Sequence, residues 1–131
     1  MRARAPWVIA ALLVLVPACQ PQAGVVFTVL LPDGVLPSRA LHVEPDATDA
    51  QGEPTEADRS EVAVTARGYV VEVAWFEPTV DATIEVWVDM DGDGQRGRGD
   101  LVGTLPRTHL AGQGCDGMDE VATPVTLAPI P

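Results

Sequence analysis

Two stretches carry the fold: Gly68-Tyr69-Val70-Val71-Glu72-Val73-Ala74-Trp75-Phe76 and Ala82-Thr83-Ile84-Glu85-Val86-Trp87-Val88-Asp89. In the first, Val71, Val73 and Trp75 fall on one side. In the second, Ile84, Val86 and Val88 face one way and Glu85 and Trp87 the other. A period of two, carried by β-branched and aromatic residues, belongs to a pleated strand with one buried face. Pro78 ends the first run. Working outward, Val25–Leu31 predicts an opening strand closed by Pro32-Asp33-Gly34, and Ala40–Glu44 a short second one ending at Pro45. Residues 45–60 are acidic, hold two prolines and few apolar side chains, and read as an exposed loop. Val62 and Val64 alternate beyond Glu61, and Leu101–Leu105 and Val121–Leu127 complete about seven strands. No long helical period is present. The pattern predicts an all-β fold, a small β-sandwich of residues 24–131.

The chain has 131 residues and a formal charge of −11. That length excludes a second domain once the N-terminal segment is set aside. Every basic side chain is Arg. If residues 1–18 are removed, Arg2 and Arg4 leave with them and the charge becomes −13. A field of that sign repels phosphate backbones, so no nucleic-acid partner is expected, and it attracts cations.

Residues 1–18 have the parts of an export signal: Arg2 and Arg4, an apolar run from Trp7 to Val16, then small residues before a cysteine. The run is about ten residues, against roughly twenty needed to span a bilayer, so a cleaved segment is expected. Its end, Val16-Pro17-Ala18-Cys19, resembles the lipobox of bacterial lipoproteins, with Pro17 departing from the small or β-branched residue usual there. The resemblance implies a lipoprotein signal peptide at 1–18, acyl chains (palmitate or similar) on Cys19, and a lipidated tether at 19–23. Two or three chains on one residue meet the requirement for stable membrane anchoring. Gln20, rather than Asp, after the cysteine implies the outer membrane of the cell envelope. An acylated Cys19 cannot pair with Cys115, the only other cysteine; without acylation, Cys19 to Cys115 is the obvious disulfide.

One segment carries recognisable chemistry. Residues 89–100, Asp-Met-Asp-Gly-Asp-Gly-Gln-Arg-Gly-Arg-Gly-Asp, set carboxylates at loop positions 1, 3, 5 and 12 and a glycine at position 6. They resemble the calcium loop of EF-hands and dockerins. The resemblance implies metal ligands at Asp89, Asp91, Asp93 and Asp100, with Gln95 giving its backbone carbonyl and a water at Gly97. Asp100 stands where the family has glutamate, and Arg96 and Arg98 bring positive charge. A strand, Ile84–Val88, precedes the loop where an EF-hand has a helix, so a strand–loop–strand calcium site is expected. Calcium takes six to eight oxygen ligands, and millimolar external calcium fills even a weak site, so its expected role is structural.

The whole of residues 24–128 resembles the prealbumin-like modules of bacterial surface proteins, and an immunoglobulin-like order leaves the same pattern. His42 and His109 lie far apart with no cysteine at metal spacing, and Ser38 and Ser60 lack a nucleophile-elbow context. Acids such as Asp33 and Glu44 are too numerous for any pair to signal a glycosidase. The expected function is therefore a non-enzymatic, lipid-anchored surface binding or structural module with a protein or glycan partner. A carbohydrate- or peptide-binding accessory module using Trp87 is the alternative, and a hydrolase is a more distant one.

Overall fold

The computed structural model of the chain describes residues 22–112 and 118–131. The signal segment, Cys19 and Cys115 lie outside the described residues. Within them the fold is all-β: β1 (Gly24–Leu30), β2 (Leu41–Thr48), β3 (Pro54–Thr55), β4 (Arg59–Val64), β5 (Gly68–Ala74), β6 (Thr79–Val88), β7 (Leu101–Ala111), β8 (Asp119–Glu120), β9 (Val125–Thr126) and β10 (Ala128–Pro129). Two sheets form a small β-sandwich. One runs β4-β5-β1-β8 with β9 also on β1, and the other runs β10-β7-β6-β2-β3. β1 lies inside its sheet, antiparallel to β5 along its whole length and parallel to β8 and β9 on its other side. β1 and β2 belong to different sheets, whereas the constant-type immunoglobulin order places its first two strands together.

The alternation read from the sequence sets the core. Val25, Phe27 and Val29 of β1, Val71, Val73 and Trp75 in and after β5, and Ile84, Val86 and Val88 of β6 are all buried. Each such side chain, taken fully out of water, contributes roughly 1.5–3 kcal/mol. Leu41, Leu101, Leu105, Leu110, Val125 and Leu127 close the same cluster.

Prolines end fewer strands than their positions suggest. β2 continues through Pro45 to Thr48, so the expected loop at 45–60 holds the end of β2, all of β3 and the start of β4. The edge of β2 away from β6 is unpaired at Pro45, because β3 meets only Ala47 and Thr48, and proline is tolerated on such an edge. Pro106 lies inside β7 at a register shift, where Pro106 and Arg107 oppose Thr83 alone. A bulge accommodates a residue without an N–H. β4 keeps the alternation read from the sequence, without burial. Val62 and Val64 pair with the buried Val71 and Tyr69 and share their face, yet stay 40% and 64% exposed because β4 is the outermost strand of its sheet.

The registers define two ends of the sandwich. Gly24, Ala74, Arg59, Thr79, Ala111 and Thr48 gather at one, and Leu30, Gly68, Leu41, Val88, Leu101 and Ala128 at the other. The 89–100 loop joins β6 to β7 at the second end.

Candidate functional site

Val88 pairs with Leu101, so residues 89–100 form a twelve-residue hairpin loop on a fixed base. Three of its four glycines let the chain turn back on itself. Gly92, Gly94 and Gly99 take φ of 74°, 79° and 89°, a left-handed region where an L side chain is strained. Carboxylates then fold inward to collect backbone N–H groups. Asp89 Oδ1 accepts from Gly92 N (3.0 Å) and Oδ2 from Gly94 N (2.7 Å). Asp91 Oδ1 accepts from Asp93 N (3.2 Å), and Asp93 Oδ1 from Gln95 N (2.9 Å).

Asp100 closes the loop differently. It is the buried charged residue among the described ones, with no exposed surface, and its two oxygens accept from Met90 N (2.9 Å) and Gly97 N (2.8 Å). Its backbone is held as well: Ile130 N donates to Asp100 O (2.8 Å) and Gly99 N to Ile130 O (3.0 Å). The last residues of the chain thus pin the end of the loop.

The consequence is convergence. One carboxylate oxygen from each of Asp89, Asp91, Asp93 and Asp100 lies within 4.8 Å of the others. The charges register it. The N–H of Gly94 above all holds the Asp89 carboxyl below its ordinary pKa, while the hydrogen bond shared with Asp89 pushes Asp91 above its own, the negative charge of Asp93 adding to the effect. Four hard oxygen donors on one point suit a hard cation such as Ca²⁺ or Mg²⁺, and lack the nitrogen or sulfur that would select zinc or copper.

Gln95 is exposed, and its N–H serves the Asp93 carboxylate. Arg96, expected to place its charge beside the cluster, instead reaches Glu85 on β6 at 2.6 Å. Two participants are missing from the sequence reading. Arg39 brings its guanidinium to 3.4 Å from where a Cβ on Gly92 would stand, and Ile130 clamps Gly99 and Asp100. Neither sits in the motif, and only the strand registers bring them there.

The other candidates scatter. His42 stacks on Trp87, ring centroids 4.1 Å apart and planes at 15°, while His109 pairs with Asp81 (2.9 Å) near the opposite end. Glu44 accepts the indole N–H of Trp87 at 2.5 Å, and Asp33 meets Arg67 at 3.6 Å. Ser60 lies in β4 and Ser38 between β1 and β2. Trp87 is only 6% exposed and Trp75 not at all, so neither indole offers an open face for a sugar to stack on.

No protein-family model matches this sequence, and neither a curated protein nor a solved structure matches it.

Proposed function

We propose that this chain is a lipid-anchored protein of the bacterial cell envelope, a non-enzymatic surface binding or structural module whose sandwich is locked by a calcium ion in the 89–100 loop. The observation that carries the metal reading is the convergence of the Asp89, Asp91, Asp93 and Asp100 carboxylates within 4.8 Å. Mutual repulsion of those groups is relieved by a cation, so binding gains from charge neutralisation as well as from coordination. The ion has no assigned reaction. It ties β6 to β7 and, through Asp100, to the C-terminal residues, which is a structural role.

Calorimetric titration of calcium into the soluble fragment 20–131 tests the loop. A saturable heat with a dissociation constant near 10⁻⁴ M is expected, the range of extracellular modules. At millimolar calcium such a site adds about 1.4 kcal/mol of stability, several degrees in the melting point of a small domain. Asp91→Ala and Asp93→Ala each abolish the response. A melting point indifferent to both calcium and chelator returns the segment to a plain acidic turn.

The anchor rests on the sequence 16–19, and Cys19→Ser is expected to release the protein from membranes. Continued membrane association of that variant, or a mature N-terminus elsewhere by mass spectrometry, removes the lipoprotein reading. The non-enzymatic reading rests on the separate placement of His42, His109, Ser38, Ser60, Asp33 and Glu44.

A further inference from the structure

The fold brings an exposed aromatic residue to the point where the chain leaves for Cys19. Ala23 is fully buried and bonded on both sides: its N–H donates to Glu77 O (2.7 Å) and its carbonyl accepts from Trp75 N (2.9 Å). Phe76 lies between those two partners, in the bend joining β5 to β6, and is 68% exposed; Pro78 beside it is exposed too. Only three residues, Gln20, Pro21 and Gln22, separate Cys19 from Ala23. The four steps from Cys19 to Ala23 reach at most about 14 Å, so an anchor at Cys19 holds this end of the sandwich against the bilayer surface. The opposite end, with the 89–100 loop and Leu36, stands away by at least the length of β1, roughly 20 Å.

The geometry points to a second membrane contact: the bend Phe76-Glu77-Pro78 seats Phe76 in the interfacial layer of a zwitterionic phospholipid bilayer, beside the acyl anchor. This rests on the lipid-anchor reading. An aromatic ring left in water at the one end the tether holds close gains by partitioning into that layer. The charge around it selects the lipid. Glu77 adjoins Phe76, Asp58 donates its N–H to Ala74 O at the same end, and Asp119 pairs in register with Val25. Of the cations at this end among the described residues, Arg59 is matched by Glu61, and Arg107 is held at Thr48 Oγ1 (2.7 Å) on the other sheet. An acidic rim repels anionic headgroups and leaves the zwitterionic surface as the fitting occupant.

The test uses the mature lipidated protein in phosphatidylcholine vesicles that carry a shallow spin-labelled lipid quencher. Phe76→Trp and Leu36→Trp place an indole at the near and far ends, on exposed positions that leave the core intact; the buried Trp75 and Trp87 give both variants the same background. The expected result is a blue-shifted, strongly quenched emission from the residue-76 indole and none from residue 36, with quenching at residue 76 falling as anionic lipid is added. Equal quenching of the two in vesicle-bound protein overturns the proposal while leaving the anchor standing. Quenching that grows with anionic lipid overturns the choice of surface. A Cys19 peptide without acyl mass overturns the anchor and this contact with it.

Discussion

Two acidic turns of this protein look alike in composition and behave differently in space. The turn Asp49-Ala50-Gln51-Gly52-Glu53 links β2 to β3, and the loop 89–100 links β6 to β7. Both place glycine at positive φ, Gly52 at 80° and Gly94 at 79°. Both use aspartate oxygens to hold backbone N–H groups, Asp49 Oδ1 serving Gln51 and Glu53 at 2.9 and 3.0 Å. In the shorter turn one carboxylate does this work and its charge is left in solvent. In the longer one, four carboxylates perform the same local task and in doing so are driven onto a common point. An aspartate that completes a turn needs no partner beyond the backbone, whereas four that converge create a demand for positive charge that the backbone alone cannot meet.

The comparison can be broken most severely at Asp100. Asp100→Ala strips the acceptor from Met90 N–H and Gly97 N–H in a buried setting and is expected to cost about 2–4 kcal/mol in urea denaturation, with or without calcium. A loss seen only in calcium would mean that Asp100 acts as a ligand and not as a brace. Next comes Asp49→Ala, which removes two exposed hydrogen bonds and is expected to cost about 1 kcal/mol. Its stabilisation by calcium should equal that of the wild type, and loss of that increment would undo the distinction between the turns. Smallest is the titration of Asp89 and Asp91 followed by carboxyl NMR in chelator. Asp91 should titrate above its ordinary pKa, so its contribution to stability is present at low pH and is lost as pH rises through the raised value. Asp89 should titrate below, and its contribution is present at higher pH and lost as pH falls through the lowered value. Calcium should pull the Asp91 inflection downward, and an inflection unmoved by saturating calcium would place the ion elsewhere.

Much of the fold was legible because period-two alternation survives directly in the burial of Val71, Val73, Trp75, Ile84, Val86 and Val88. What escaped the sequence was set by neighbours. Pro45 reads as a terminator because proline removes a ladder donor, and the strand expected at Leu101–Leu105 runs on through Pro106 to Ala111; an unpaired edge and a bulge absorb the lost donors, and neither is visible before pairing is known. Val62 and Val64 carry the signature of a core strand, and only their place on the outermost strand leaves them in solvent. Trp87 alternates outward as expected, yet His42 and Glu44 of β2 cover and bond it. At the loop, the one-dimensional spacing of aspartates was enough to anticipate their convergence. The parts played by Arg39 and Ile130 depend on long-range register, which no local pattern encodes.

The interior position of β1 has a mechanical consequence. A pull on the N-terminal end of the domain, directed along β1, does not peel the strand from an edge. It slides β1 against β5, to which it is joined from Gly24 to Leu30, and at the same moment against β8 and β9 on its other flank. Ladder hydrogen bonds run across the strands, so such a load falls on all of them together and not on one after another. A strand held on both sides in this way resists extraction as a unit, and tension entering at the N-terminus would be spread over the sheet before any single bond gives way.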